Sequence, residues 1–330
     1  MNILFFGSTS DSVIVLTRLS QLPITNYRLL ISAVVTQPPR PVGRDQIMTP
    51  TPVETWAKER HITVLSFPSN PEKPWLFADE EQVIDTLEPV KADILISASF
   101  GVKIPWETIE RTKFGGINIH PSILPRWRGA DPVPWAILTG DHQIGVSVVT
   151  LSKEFDKGVI LAQKKIPILP SDTSDPLRTK LFTIGADLLI DLLPSFLARN
   201  IKPKSQSTKF MHVHKVSGSK PFPYARKFKR EDGFIEWDII YNALTEGTDA
   251  ERIERTWRAL HPWPGVWTEI GIRDKGVGYR KKRVKILKLH LHPMPNTLHP
   301  TLVIDEVQIE GKKPVSWQQF QNAYLQRIIE

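Results

Sequence analysis

The amino-acid sequence predicts an open α/β sheet followed by a smaller β-rich domain, and three observations carry that expectation. Near-continuous Val/Ile/Leu runs alternate with helix-like stretches through the first 200 residues, the pattern of strands buried on both faces between crossover helices. Residues 202–230 are polar, basic and broken by Pro and Gly, which is a linker composition. Beyond them the apolar runs are short and strand-like.

Taken in order, strands are predicted at Asn2–Phe6, Leu29–Thr36, Ile62–Ser66, Asp93–Ser99, Gly115–His120, Ile144–Leu151 and Val159–Ile168. Between them the spacing predicts helices at Ser12–Leu22, Pro52–Arg60, Glu80–Glu88, Pro132–Leu138 and Asp175–Arg199. Right-handed crossovers then assemble one sheet. Gly7-Ser8-Thr9-Ser10-Asp11 follows the first strand but departs from G-x-G-x-x-G, which argues against a dinucleotide site. After the linker, strands are expected at Gly233–Trp237, Val266–Ile270, Val284–His292 and Thr301–Ile309, with a helix at Asp249–Leu260. Ser316 is placed to cap a terminal helix reaching Ile328.

A chain of 330 residues suits two domains, set here at 1–205 and 231–330 with a linker at 206–230. Hydrophobic residues at 41% and charged residues at 24% exclude a disordered chain. The absence of cysteine excludes disulfides, Cys-ligated zinc, iron–sulfur clusters and a thiol nucleophile. No apolar run approaches the roughly 18 residues that span a bilayer, and MNILFFGSTS lacks the basic start of a secretory signal. A cytoplasmic location is therefore expected, in a bacterial cytosol or an organelle matrix. The formal net charge of +8 is unevenly spread. Residues 1–200 carry 20 Lys+Arg and 21 Asp+Glu, whereas residues 201–330 carry 23 and 14. An excess confined to the second domain points to an acidic partner such as nucleic acid, with a lysine-rich solvated surface as the alternative.

The segment richest in chemistry is Gly115–Gly140. In Ile117-Asn118-Ile119-His120 polar and apolar residues alternate, so on a strand Asn118 and His120 share one face. Pro121 lacks an N–H and ends the ladder, which puts the pair at a C-terminal strand end, where open α/β sheets place their sites. An amide donor beside an imidazole suits acyl transfer, because one can stabilise an oxyanion and the other can move a proton. The same pair could equally close a turn. Further on, Ser152–Gly158 joins two strand-like runs, and Asp156 within it is either a carboxylate returned to His120 or an ordinary turn residue before Gly158.

The run NIHPSILPRWRGADPVPWAI, followed by Gly140-Asp141, Gly145-Val146 and Asp156-Lys157-Gly158, resembles the folate-dependent formyltransferase superfamily. Within it the chain is similar to the branch that formylates methionyl initiator tRNA. Thr36–Arg44 (TQPPRPVGR), Arg258–Trp267 (RALHPWPGVW) and Gly311–Ser316 (GKKPVS) resemble that branch's further motifs, so the likeness runs from residue 1 to about residue 326. The resemblance implies a Rossmann-like catalytic sheet followed by an OB-like barrel. It makes Asn118, His120 and Asp156 the catalytic trio and puts Ser122, Ile123, Leu124 and Pro125 on the segment that binds the donor, 10-formyltetrahydrofolate. Arg44 falls on the loop that meets the acceptor end of tRNA, and the basic runs Arg280-Lys281-Lys282-Arg283 and Arg226–Arg230 become candidate phosphate contacts.

The sequence also departs from the family pattern. Pro121 stands where a small residue is usual, and Asp45-Gln46-Ile47-Met48 replaces further lysines after Arg44. Residues 268–311 hold one or two strands fewer than a five-stranded barrel, so an abbreviated or open barrel is expected. No metal is expected, since His212-x-His214 and His290-x-His292 have no evident carboxylate partner. Most of the 10 tryptophans are assigned to the core, with Trp263 packing a turn between its two prolines. A monomer is expected. Two other functions fit fewer of these features: formylation of an amino-sugar nucleotide, and RNA binding without catalysis.

Overall fold

β1 (Asn2–Phe6) is buried from Ile3 onward, because its Val/Ile/Leu/Phe-type side chains are covered on both faces. It pairs in parallel with β2 (Leu30–Thr36) and β6 (Ile94–Ala98). The structure is a computed structural model that describes residues 1–21, 29–43, 45–206, 224–274, 278–293 and 300–325, the side chains of 272–274, 278–280 and 325 excepted. Most of the expected linker, residues 207–223, thus lies outside the described residues, as do His212, His214 and Arg44.

The larger sheet has seven strands in the order β5-β2-β1-β6-β7-β8-β9, completed by β5 (Thr63–Ser66), β7 (Gly116–His120), β8 (Gln143–Thr150) and β9 (Ile160–Pro167). The first five are parallel; β8 runs antiparallel to β7, and β9 antiparallel to β8. Leu4 and Phe6 pack with residues of α3 (Glu80–Leu87) and α4 (Trp106–Glu110), so Ile3 and Phe5 face the opposite side. There α1 (Ser10–Ser20) lies against α2 (Pro52–Lys58) and β6. Thr9 caps α1 in a reciprocal capping box with Ser12. The chain reverses strand order between β1 and β6, the switch point at which such sheets hold ligands.

Every predicted strand and helix of this part is present, with described ends moved by at most two residues; the predicted helix end Leu22 lies outside the described residues. Two features were not predicted. α4 is only five residues long, too short for its period to show. A two-stranded hairpin pairs β3 (Arg40–Val42), within the TQPPRPVGR motif, with β4 (Ile47–Thr49) just beyond it. Its Val42, Ile47 and Met48 are exposed, so no buried face marks it in the sequence.

The chain divides into two compact units. The first comprises Met1–Pro132, Gln143–Pro167 and Arg178–Arg226; the second comprises Val133–His142, Ile168–Leu177 and Lys227–Glu330. α5 (Pro132–Leu138) therefore belongs almost wholly to the second unit, and α6 (Ser174–Leu197) begins in it.

The second unit is built on an antiparallel sheet, β10 (Val266–Asp274), β11 (Gly278–His292), β12 (Thr301–Ile309) and β13 (Val315–Ser316), paired in that order. Among the described residues β10 and β13 do not pair with each other, so the ladder stays open, as its short strand count anticipated. Helices α7 (Trp237–Thr245) and α8 (Ala250–Leu260) cover one face, where Ile240, Ile253, Val266, Val284, Ile286 and Val307 form a core. α9 (Trp317–Phe320) is capped by Ser316 as expected; the last three residues of the expected helix, 326–328, lie outside the described residues.

Gly233–Trp237 is not the predicted strand. It holds the end of a short 3-10 turn, one bridge from Phe234 to Trp267, and the first residue of α7. Trp237, Ile240, Tyr241 and Leu244 repeat with helical spacing, and that period overrides the short apolar run before it. β11 begins six residues earlier than Val284, so Arg280–Lys285 is strand. Trp263 does stand on a turn, closed by Gly265 N–H donating to Leu260 O at 2.8 Å, but at 59% exposed it is not packed there.

Candidate active site

β7 places Asn118 and His120 on one face, while Ile117 and Ile119 are buried on the other. Its neighbour β8 runs the opposite way, pairing Thr150 with Ile117 and Ser147 with His120. The loop after β8 therefore starts beside the beginning of β7 and must return along it. Asp156 makes that return. Its Oδ1 lies 3.4 Å from His120 Nδ1, and the two side chains are only 10% and 6% exposed. The structure thus brings together the three residues singled out from the sequence.

Both nitrogens of His120 face acceptors. Nε2 is 2.9 Å from Trp127 O, and Nδ1 faces the Asp156 carboxylate. A neutral ring has one N–H and can donate to one of them; the imidazolium donates to both. Asp156 Oδ2 in turn accepts from Gly129 N–H at 2.9 Å. Asn118 is half-buried, and its amide has no hydrogen-bond partner among the described residues. Its donor group is therefore available to a ligand beside the imidazole.

The segment after His120 is a buried scaffold. Ser122 Oγ donates to Arg126 O at 2.7 Å, and Ser147 Oγ donates to Ser122 O at 2.6 Å. Leu124 N–H donates to Ser147 Oγ at 3.0 Å, and Gln163 Nε2 donates to Leu124 O at 2.9 Å. Ser122 and Leu124 are buried, so among the four residues expected to bind the donor it is Ile123 and Pro125 that keep partly open side chains. The Arg126 guanidinium lies over the Trp127 ring at 4.5 Å, next to the carbonyl that receives His120.

Three further residues reach the site from the chain that the sequence suggested was linker. Gln206 Nε2 donates to Asp156 O and to Gly158 O, both at 2.7 Å. Ala225 bridges Gly129: its N–H donates to Arg128 O at 2.7 Å, and its carbonyl accepts from Asp131 N–H at 3.1 Å. Gly129 needs to be glycine, with φ at +120° and room for no Cβ, which would lie 2.5 Å from Ala225 O. The adjoining Tyr224 is 60% exposed. Burial of its phenol and, second, the Asp156 charge raise its pKa above the ordinary 10.0. None of these residues belongs to a periodic pattern, and their spacing from Asp156 is too long to be read as a motif.

The expected nucleic-acid contacts are placed unevenly. Arg44 and the Arg280 side chain lie outside the described residues. Lys281 is exposed, while Lys282 and Arg283 are half-buried. Arg283 lies over the Trp267 ring at 4.6 Å and 3.9 Å from Glu310 Oε1. The alternation of β11 puts Lys281, Arg283 and Lys285 on the face opposite buried Val284 and Ile286. His290 has a carboxylate neighbour that its sequence did not reveal, Asp305 across the ladder at 3.0 Å. Among the described residues no group of three or more His, Cys, Asp or Glu side chains converges as a metal site requires. No helix among them is long and apolar enough to cross a membrane.

With this geometry in place, comparison with known proteins is specific. Residues 1–193 match the family described as Formyl transferase, and residues 227–300 match Formyl transferase, C-terminal domain. A methionyl-tRNA formyltransferase from Dictyoglomus thermophilum is 30% identical over all of this chain and 99% of its own length. A second protein of that name, from Enterococcus faecalis, is 32% identical over 99% of this chain and 97% of its own. The crystal structure of WlaRD, a sugar 3N-formyl transferase in the presence of dTDP and 5-N-formyl-THF, covers 95% of this chain with a TM-score of 0.57 at 15% identity. That likeness is one of fold.

Proposed function

The chain belongs to the formyl transferase family, and from that premise we infer that it transfers a formyl group from 10-formyltetrahydrofolate to the α-amino group of methionine on initiator tRNA. The observation that carries this reading is a pair of relatives of that activity aligned end to end with both units. The amino-sugar alternative draws support from fold likeness alone.

The proposed mechanism assigns one task to each residue. The neutral amine attacks the formyl carbon and a tetrahedral oxyanion forms. Asn118, whose amide is free to donate, stabilises that charge with help from His120. Asp156 holds His120 between itself and Trp127 O and assists removal of the amine proton. The new C–N bond forms, the bond to the folate nitrogen breaks, and that nitrogen takes up a proton. The donor is proposed to lie along Ser122–Pro125, approaching the partly open Ile123 and Pro125. For the tRNA, Lys281, Lys282 and Arg283 supply backbone contacts together with Arg44 and Arg280. A monomer in the cytosol is part of the same proposal, since charged tRNA is made and used where translation runs.

Formyl transfer to charged initiator tRNA by the wild type and by Asn118→Ala tests this. Loss of one oxyanion donor lowers kcat about 100- to 1,000-fold. An Asn118→Ala rate within twofold of the wild type would remove Asn118 from the mechanism.

A further inference from the structure

Asp156 has a left-handed backbone, with φ at +55°, although it is not glycine. Such a residue keeps its conformation only where its surroundings impose it. The imposing group is Gln206, fifty positions along the chain. Its Nε2 donates to the carbonyl of the kinked residue and to one two residues on, Asp156 O and Gly158 O, both at 2.7 Å. Its Oε1 accepts from Arg128 Nε at 3.0 Å and from Arg128 Nη2 at 2.6 Å. Only one orientation of the amide satisfies two carbonyls on one side and a guanidinium on the other, so the network fixes which atom is which. Every hydrogen-bonding position of the Gln206 amide is then in use.

The arrangement closes on itself. Arg128 precedes Gly129, whose N–H donates to Asp156 Oδ2 at 2.9 Å. The same two residues therefore hold Asp156 at both ends, Gly129 at the carboxylate and Arg128 through Gln206 at the backbone. We propose that Gln206, clamped by Arg128, is a positioning residue that aims the Asp156 carboxylate at His120 for formyl transfer. The inference rests on the role given to Asp156 above. Gln206 makes no hydrogen bond to His120 or Asn118, so its effect passes through Asp156.

Three variants of the full chain test the clamp. Gln206→Met keeps the volume and removes the amide; Arg128→Met removes the guanidinium; Arg128→Lys keeps one donor. Gln206→Met lowers kcat for formylation of charged initiator tRNA at least about 10-fold, with KM for donor and tRNA within about twofold. Added to Asp156→Asn, it costs no more than Asp156→Asn alone, because both act on one group. Arg128→Lys recovers part of what Arg128→Met loses.

Hydrogen exchange gives a readout that needs no substrate. The Gly129 amide exchanges faster in Gln206→Met, while the amides of β7 and β8 keep their protection. A kcat within twofold of the wild type, or a penalty that multiplies onto Asp156→Asn, overturns the proposal. Should the wild type transfer no formyl group, the functional reading fails, and unchanged Gly129 exchange would separately overturn the clamp. If Gln206→Met does not fold, Arg128→Met is read by the same criteria.

Discussion

At the scale of single residues, the site is an exercise in satisfying acceptors. His120 lies between a carbonyl and a carboxylate, and Asp156 is itself held by a backbone N–H. Tyr224 feels the same carboxylate. A negative neighbour disfavours the phenolate, so the titration of Tyr224 reports on Asp156. In the wild type its midpoint lies above 10.0; in Asp156→Asn it moves down toward 10.0, short of it by the part due to burial. Absorbance titration with Tyr224→Phe as the assignment control measures this, and an unmoved midpoint would show that Asp156 does not act on Tyr224. Asn118 and His120 were legible because two-residue alternation puts them on one face. Asp156 was legible as either a carboxylate returned to His120 or a turn residue, and only the family motif chose between the two. Gln206 and Tyr224 were not legible at all, because their partners are set by how the chain returns and not by any local period.

At the scale of elements, two turns govern what the strands present. The bridge between Gly129 and Ala225 leaves no room for a side chain, and Gly129→Ala would also force φ at +120° on an alanine. That substitution costs about 1–3 kcal/mol of stability and shifts the N–H that Asp156 accepts. Thermal melting combined with a formylation assay checks it: both fall together, and full activity would contradict the role of the bridge.

The second turn follows α8. Burial and, next, Lys285 lower the pKa of His261 below 6.5, while Asp175 opposes them. Its folded form thus favours the neutral ring, and the unfolded chain binds the extra proton as pH falls below about 6.5. The stability from this group is full above that value and is lost as pH drops toward the folded pKa. Denaturant titrations from about pH 7.5 to about pH 5.5 will show that slope. His261→Phe, which retains a ring against Trp257, flattens it; an equal slope in both proteins contradicts the assignment.

The first-unit sheet was legible almost entirely, since strands buried on both faces read as continuous apolar runs. The β3–β4 hairpin escaped notice because its apolar residues are exposed, and Gly233–Trp237 was misread because five residues cannot separate a strand from the start of a helix.

At the scale of the whole molecule, the sequence separates two properties that total charge conceals. The proposed catalytic groups lie in the first unit, and the Lys/Arg excess lies beyond residue 200. Composition pointed only to an acidic partner; the proposed function makes that partner tRNA. Backbone recognition by lysine and arginine releases counterions, so binding must weaken steeply with salt.

The most direct test is therefore a formyl-transfer assay with 10-formyltetrahydrofolate at several salt concentrations, offering charged initiator methionyl-tRNA and an amino-sugar nucleotide as acceptors. The expected result is rapid formylation of the tRNA, with kcat/KM falling as salt rises, and negligible transfer to the sugar. Preferential transfer to the amino sugar, or no transfer to the tRNA at low salt, would contradict the account.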